Sequence, residues 1–130
     1  MTTPLARATS EVALVFDASG KDIVLIETVG VGQDEVDIVR TADVSIVTIV
    51  PGAGDEVQAL KAGIMEIGDV FVVNKADRPG ADKTVTEIQM MMSLVEEHGE
   101  WIPPIVKTVA SRNEGVGELD AAVTAHYAYL

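Results

Sequence analysis

Apolar residues gather in four short runs rich in β-branched side chains: Asp22 to Glu27, Val44 to Val50, Asp69 to Val73, and Ile105 to Val109. Each is too short for a lone helix. Their near-continuous apolar character, in place of strict alternation, predicts strands covered on both faces, as in parallel sheets. Between the runs the spacing turns helical. Leu5, Ala8, Val12, Val15 and Phe16 recur at helical offsets ahead of Gly20, a natural stop. Val57, Leu60, Ile64 and Ile67 form a second stripe with Asp55 as its N-cap, preceded by a shorter helix expected over 35–41. Val85, Ile88, Met91, Met92 and Val95 predict a third helix closing near His98-Gly99, and Val116, Leu119, Ala122, Val123 and Tyr127 a last one. Strands alternating with helices imply right-handed crossovers and an α/β fold, a three-layer parallel sheet with helices on both faces. No repeat, low-complexity tract or linker interrupts the chain, so a single domain over 1–130 is expected.

In an open parallel sheet, ligands bind outside the carboxyl ends of the strands. Here those ends run into Glu27-Thr28-Val29-Gly30-Val31-Gly32-Gln33, Pro51-Gly52-Ala53-Gly54-Asp55, Asn74-Lys75-Ala76-Asp77, and Ala110-Ser111-Arg112-Asn113. Glycines, amides and charges thus collect along one edge, where a site is expected.

Composition narrows what such a site serves. The 130 residues carry 9 basic against 21 acidic side chains, a formal net charge of -12 that opposes nonspecific binding to nucleic acid or anionic membrane. The absence of cysteine excludes disulfides, thiolate metal sites and thiol nucleophiles. Met1 to Arg7 lacks the apolar stretch of a signal peptide and no run approaches membrane-spanning length, so a cytoplasmic setting is the default expectation.

The first loop is not a phosphate cradle. Gly30 and Gly32 open like a dinucleotide fingerprint, but Glu35 stands where a third glycine would fall, Asp34 and Glu35 would repel a pyrophosphate, and no Gly-Lys-Ser or Gly-Lys-Thr follows. It fits better as a mobile loop beside a terminal phosphate and its metal. There Glu27 would hold a magnesium-bound water, the Gly30 N–H would sense the phosphate, and Gln33 would contact water or phosphate. The alternative is that the glycines merely turn a strand into a helix.

Asn74-Lys75-Ala76-Asp77 is the most specific signal. An aspartate carboxylate accepts from both guanine N1–H and the N2 amine, a donor pair that adenine lacks, and charge-assisted bonds of this kind contribute about 1.5–3 kcal/mol each. Asn74 would tie neighbouring loops together and the Lys75 stem would lie across the base, with Ala110-Ser111 one strand later. Other residues point to structure. Met90-Met91-Met92 at helical spacing reads as core, and Trp101-Ile102-Pro103-Pro104 as a rigid approach to the last strand. His98 and His126 lack companions at zinc-ligand spacing. Asp34, Glu35 and Asp37 read as a solvated helix start.

In their order and spacing, Glu27 to Gln33, Pro51 to Asp55 leading into Gln58 to Gly63, and Asn74 to Asp77 resemble the MeaB/ArgK GTPases, G proteins that assist adenosylcobalamin-dependent methylmalonyl-CoA mutase. The resemblance covers about Leu5 to Leu130. It implies a P-loop NTPase (G domain) core binding GTP or GDP with Mg2+. Glu27, Gly30 and Gln33 would lie in the catalytic switch, with Glu27 reaching the metal through water. Pro51 to Lys61 would match a further switch that relays nucleotide state to the mutase. Asn74, Lys75, Asp77, Ala110 and Ser111 would hold the base, with Val109 replacing a serine found in many relatives.

The departure is larger than any substitution. Members of that family carry, ahead of the segment matching Leu5, a phosphate loop ending in Gly-Lys-Ser/Thr and a first switch, which these 130 residues lack. The chain is therefore expected to be an incomplete G domain, the portion from the second switch through the guanine-specificity loops. Negligible GTP hydrolysis is expected alone, because the phosphate loop and its lysine supply much of the positioning and electrostatic stabilisation in phosphoryl transfer. The expected partners are guanine nucleotide, an adenosylcobalamin-dependent acyl-CoA mutase, and a separate chain supplying the phosphate-loop half. The alternative is a nucleotide-independent binding or assembly module for the mutase.

Overall fold

The computed structural model describes residues 4–28, 37, 40–52, 62–95 and 99–130. The chain divides into two compact units, Met1–Asp43 and Val44–Leu130.

The first unit holds α1 (Pro4–Ala18). Its end is a Schellman cap: the Gly20 N–H donates to the Asp17 carbonyl at 3.0 Å and the Lys21 N–H to the Phe16 carbonyl at 3.2 Å. Gly20 sits at φ 90°, a left-handed conformation that a Cβ would disfavour, so the stop expected from the sequence has a backbone cause. The apolar stripe of this helix is not covered, Val12, Val15 and Phe16 all being exposed.

The run Asp22 to Glu27 departs from expectation, for residues 21–28 carry no strand and Ile23 and Leu25 are exposed. An apolar β-branched run becomes a strand only where neighbouring backbones accept its ladder hydrogen bonds, and no such bond is found for it among the described residues.

The second unit contains β1 (Ile46–Ile49), α2 (Ala62–Ile67), β2 (Val70–Val73), α3 (Ala81–Ser93), β3 (Ile105–Lys107), a 3₁₀ turn at Ala110–Arg112, and α4 (Val116–Tyr129). The strands pair in the order β1-β2-β3, both pairs parallel, with Ile49 opposite Val73 and Val73 opposite Lys107. Their carboxyl ends are therefore level, and the loops that follow start along one edge.

Central β2 is buried at every residue, and its two faces feed different cores. Phe71 and Val73 pack with Ile49, Met65, Ala81, Ile88 and Met92, on the side of α2 and α3. Val70 and Val72 pack with Val106, and Leu119 and Ala122 of α4 lie against them. This is the three-layer arrangement expected, and the alternation along one strand produces it. Helix α3 ends earlier than its periodicity suggests, capped at Leu94. Of the three methionines only Met92 is buried; Met91 packs against the core from its edge, while Met90 is exposed because it falls on the opposite side of the helix.

Candidate functional site

The site edge is built from the ends of β1, β2 and β3. After β2 the Asn74 N–H donates to the Ile49 carbonyl at 2.9 Å, extending the ladder towards β1 by one residue. Lys75 then adopts φ 55°, and the Ala76 N–H turns towards β3, donating to the Thr108 carbonyl at 3.0 Å. Past β3 the Thr108 N–H donates to the Val73 carbonyl at 2.9 Å. The two loops are laced together before any side chain is considered.

Asn74 completes the lacing. Its Oδ1 accepts from the Thr108 hydroxyl at 2.9 Å and from the Ala110 N–H at 3.1 Å. Ala110 opens the 3₁₀ turn, which ends on Asn113 at φ 56°, and Val109 bridges Glu114 in both directions to close the loop. Lys75 and Asn113 are the non-glycine residues with positive φ among the described residues, one in each of these loops. Conformations of that kind persist where surrounding hydrogen bonds over-determine the backbone, and they cluster at ligand sites.

These bonds join the loops that carry Asn74, Lys75, Asp77, Ala110 and Ser111 into one shelf, with Asn74 half-buried and the other four exposed. Asp77 Oδ2 lies 3.8 Å from an Arg112 guanidinium nitrogen, both side chains being substantially exposed. At that separation the pair is electrostatic and too long for a hydrogen bond, so the carboxylate keeps its lone pairs for another donor. Arg112, which follows Ala110-Ser111 in the last of the strand-end segments, stands directly beside Asp77. Thr108 was not singled out at all, although its hydroxyl holds Asn74 from a nearly fully buried position. A threonine at a strand end two residues before Ala110 was the available signal.

The remaining expectations fall on other segments of the chain. Glu27 is described and exposed, outside any regular element. Gly30 and Gln33 lie outside the described residues, as does most of the Pro51 to Lys61 segment; Pro51 is buried and Gly52 exposed at φ 103°. Among the described residues no group of three His, Cys, Asp or Glu side chains is placed to hold a metal ion. No helix of the described residues is long and apolar enough to cross a membrane.

A parallel sheet between helix layers, with an Asn-Lys-Ala-Asp loop at the end of its central strand laced to an Ala-Ser loop at the end of the next, defines the P-loop GTPase class of fold. Comparison with known proteins agrees and narrows the class. Residues 2–130 match the family described as Methylmalonyl Co-A mutase-associated GTPase MeaB, and the chain belongs to that family. It is 49% identical over 129 residues to a Pyrococcus abyssi protein provisionally named a GTPase, covering 97% of this chain and 40% of that protein. It is 34% identical to the GTPase ArgK of Escherichia coli over 87% of this chain and 35% of that one. The crystal structure of an LAO/AO transport system kinase superposes with a TM-score of 0.78 at 27% identity, over 93% of this chain and 39% of the other. The chain thus spans about two fifths of the length of the P. abyssi relative.

Proposed function

We propose that this chain is the base-reading and switch portion of a guanine-nucleotide-binding protein. The observation that carries the reading is Asn74 Oδ1, which ties the loop after β2, carrying Asp77, to the loop after β3, carrying Ala110 and Ser111. In this reading Asp77 accepts from guanine N1–H and N2, the Lys75 stem covers one face of the base, and the backbone at Ala110 and Ser111 meets the guanine carbonyl. Asn74 acts through the loops, as a positioning residue.

Glu27, Gly30 and Gln33 belong to the phosphate end. One exposed carboxylate does not make a Mg2+ site, since that ion keeps near-octahedral oxygen coordination and is usually held by carboxylates together with the substrate phosphates. The residues described therefore do not fit a resident metal, and no step is routed through one. With no Gly-Lys-Ser/Thr loop in the 130 residues, the chain alone reads the base without turning over GTP. Turnover needs a phosphate-loop half, and the family's description supplies the proposed client, a methylmalonyl-CoA mutase.

The test is to incubate the purified chain with labelled guanine and adenine nucleotides and Mg2+. Guanine-selective binding without phosphate release is expected. Steady GTP turnover by the 130 residues without a partner, or adenine competing equally, would overturn the reading.

A further inference from the structure

Two side chains of the loop after β2 differ in how they are held. Asn74 is fixed by the Thr108 hydroxyl and the Ala110 N–H. The Asp77 carboxylate accepts no hydrogen bond among the described residues, and the cation within ion-pair distance of it there is Arg112, at 3.8 Å. Arg112 itself springs from a fixed base. Its N–H donates to the Val109 carbonyl at 3.0 Å, the Asn113 N–H donates to the Ala110 carbonyl at 3.0 Å, and Val109 is bonded to Glu114. The guanidinium therefore hangs from a turn whose first residue, Ala110, is already tied to Asn74.

We propose that Arg112 is a positioning residue for base selection: its charge orients the Asp77 carboxylate towards the loop after β3 without occupying it, and so strengthens the choice of guanine over a purine that lacks the N2 amine. The inference rests on the reading of Asp77 as the group that accepts from guanine N1–H and N2. The length of the contact gives the direction of the effect. A guanidinium hydrogen-bonded to the carboxylate would compete with the base for its oxygens. At 3.8 Å no N–H is committed, whereas the Coulomb attraction falls only as the inverse of distance and persists. A carboxylate has about four lone-pair sites and the base would use two, so cation and base are not rivals. An exposed carboxylate must be ordered when a ligand engages both its oxygens, and a neighbour that orders it beforehand lowers that cost. Selection of the N2 amine gains most, because it needs the second oxygen in place as well as the first. The exposure of both partners, 62% for Arg112 and 43% for Asp77, keeps the effect small, about two- to fivefold.

Guanosine and inosine 5′-monophosphates differ only in the N2 amine, so the ratio of their affinities for the full chain reads this bond while any attraction of the phosphate cancels. Titration followed by the amide resonances of the two loops measures both. Arg112→Ala and Arg112→Gln should lower the preference for guanosine by about two- to fivefold. Arg112→Lys should restore most of it, since no fork geometry is used at this distance. In an Asp77→Ala background no acceptor remains for the amine, so the ratio should fall to about one and Arg112→Ala should change it no further. A ratio that Arg112→Ala leaves unmoved or raises, while Asp77→Ala abolishes it, would overturn the proposal alone, as would failure of lysine to restore it. Absence of binding to either nucleotide, or an Asp77→Ala variant that keeps the native ratio, would overturn the reading of Asp77 and the proposal with it.

Discussion

Thr108 donates its hydroxyl to Asn74 Oδ1 at 2.9 Å from a position only 3% exposed, so one partly buried hydrogen bond joins the ends of two neighbouring strands. The same oxygen receives the Ala110 N–H. Asn74→Ala removes the acceptor for both and leaves the Thr108 hydroxyl buried without this partner. A loss of about 1–3 kcal/mol is expected, read as a lower urea midpoint at unchanged slope. Thr108→Val deletes only the hydroxyl and leaves the Ala110 bond in place, so its cost should be the smaller of the two. If both variants unfold at the native midpoint, the lacing is not a stabilising contact.

Asp77 faces solvent and Arg112 rather than the core. Asp77→Asn should therefore leave stability within about 0.5 kcal/mol of the parent chain, as for most surface substitutions. In the proposed function its effect falls on the base. An amide in place of the carboxylate accepts from N1–H through its oxygen and donates through its nitrogen to the C2 carbonyl that xanthine carries in place of the guanine amine, so preference should turn from guanosine towards xanthosine nucleotides by roughly a hundredfold or more. Competition binding measures this, and an unchanged order of bases would remove Asp77 from the site.

Arg112→Ala separates the pair from the reader. An exposed ion pair at this distance contributes about 0–1 kcal/mol to folding and weakens with salt. The melting temperature should hardly move, while a change in guanine affinity that fades at high salt would mark the guanidinium as part of the base shelf.

Gly115 caps α4 at φ 75°, and a Cβ built there would collide with the Lys107 carbonyl at the end of β3. Gly115→Ala combines a disfavoured dihedral with a backbone clash that no rotamer relieves. Each backbone strain of this sort costs on the order of 1–3 kcal/mol, and thermal unfolding should show at least that loss. For comparison, Phe71→Ala, which empties a fully buried position in the core beneath α2 and α3, should cost about 3–5 kcal/mol.

Local pattern was enough to find the elements of the second unit. Continuous apolar runs placed β1, β2 and β3, and helical spacing placed α3 and α4, because both signals arise from residues close in sequence. It was also enough to find Asn74, Lys75 and Asp77, since a strand end is a position along the chain. It failed where a partner distant in sequence decides the outcome. Asp22 to Glu27 has strand composition, yet composition cannot provide the neighbour that a ladder requires. His126 read as an isolated histidine, because Asp69 and Trp101 come to it only through the fold. Thr108 passed as one more β-branched residue of the last run, although its hydroxyl holds the site.

The four residues of β2 divide their side chains evenly, Phe71 and Val73 to one core and Val70 and Val72 to the other. Parity is therefore the property this strand cannot lose. Deleting or inserting one residue between Asp69 and Asn74 would keep composition, hydropathy and strand propensity nearly intact. It would nonetheless turn every strand residue on one side of the change to the opposite face, Asp69 or Asn74 among them, since a one-residue slip reverses side chains across a strand. Conservative replacements within Val70–Val73 should be absorbed as packing losses, whereas a change of length by one is an error of sidedness that no neighbouring substitution can repair.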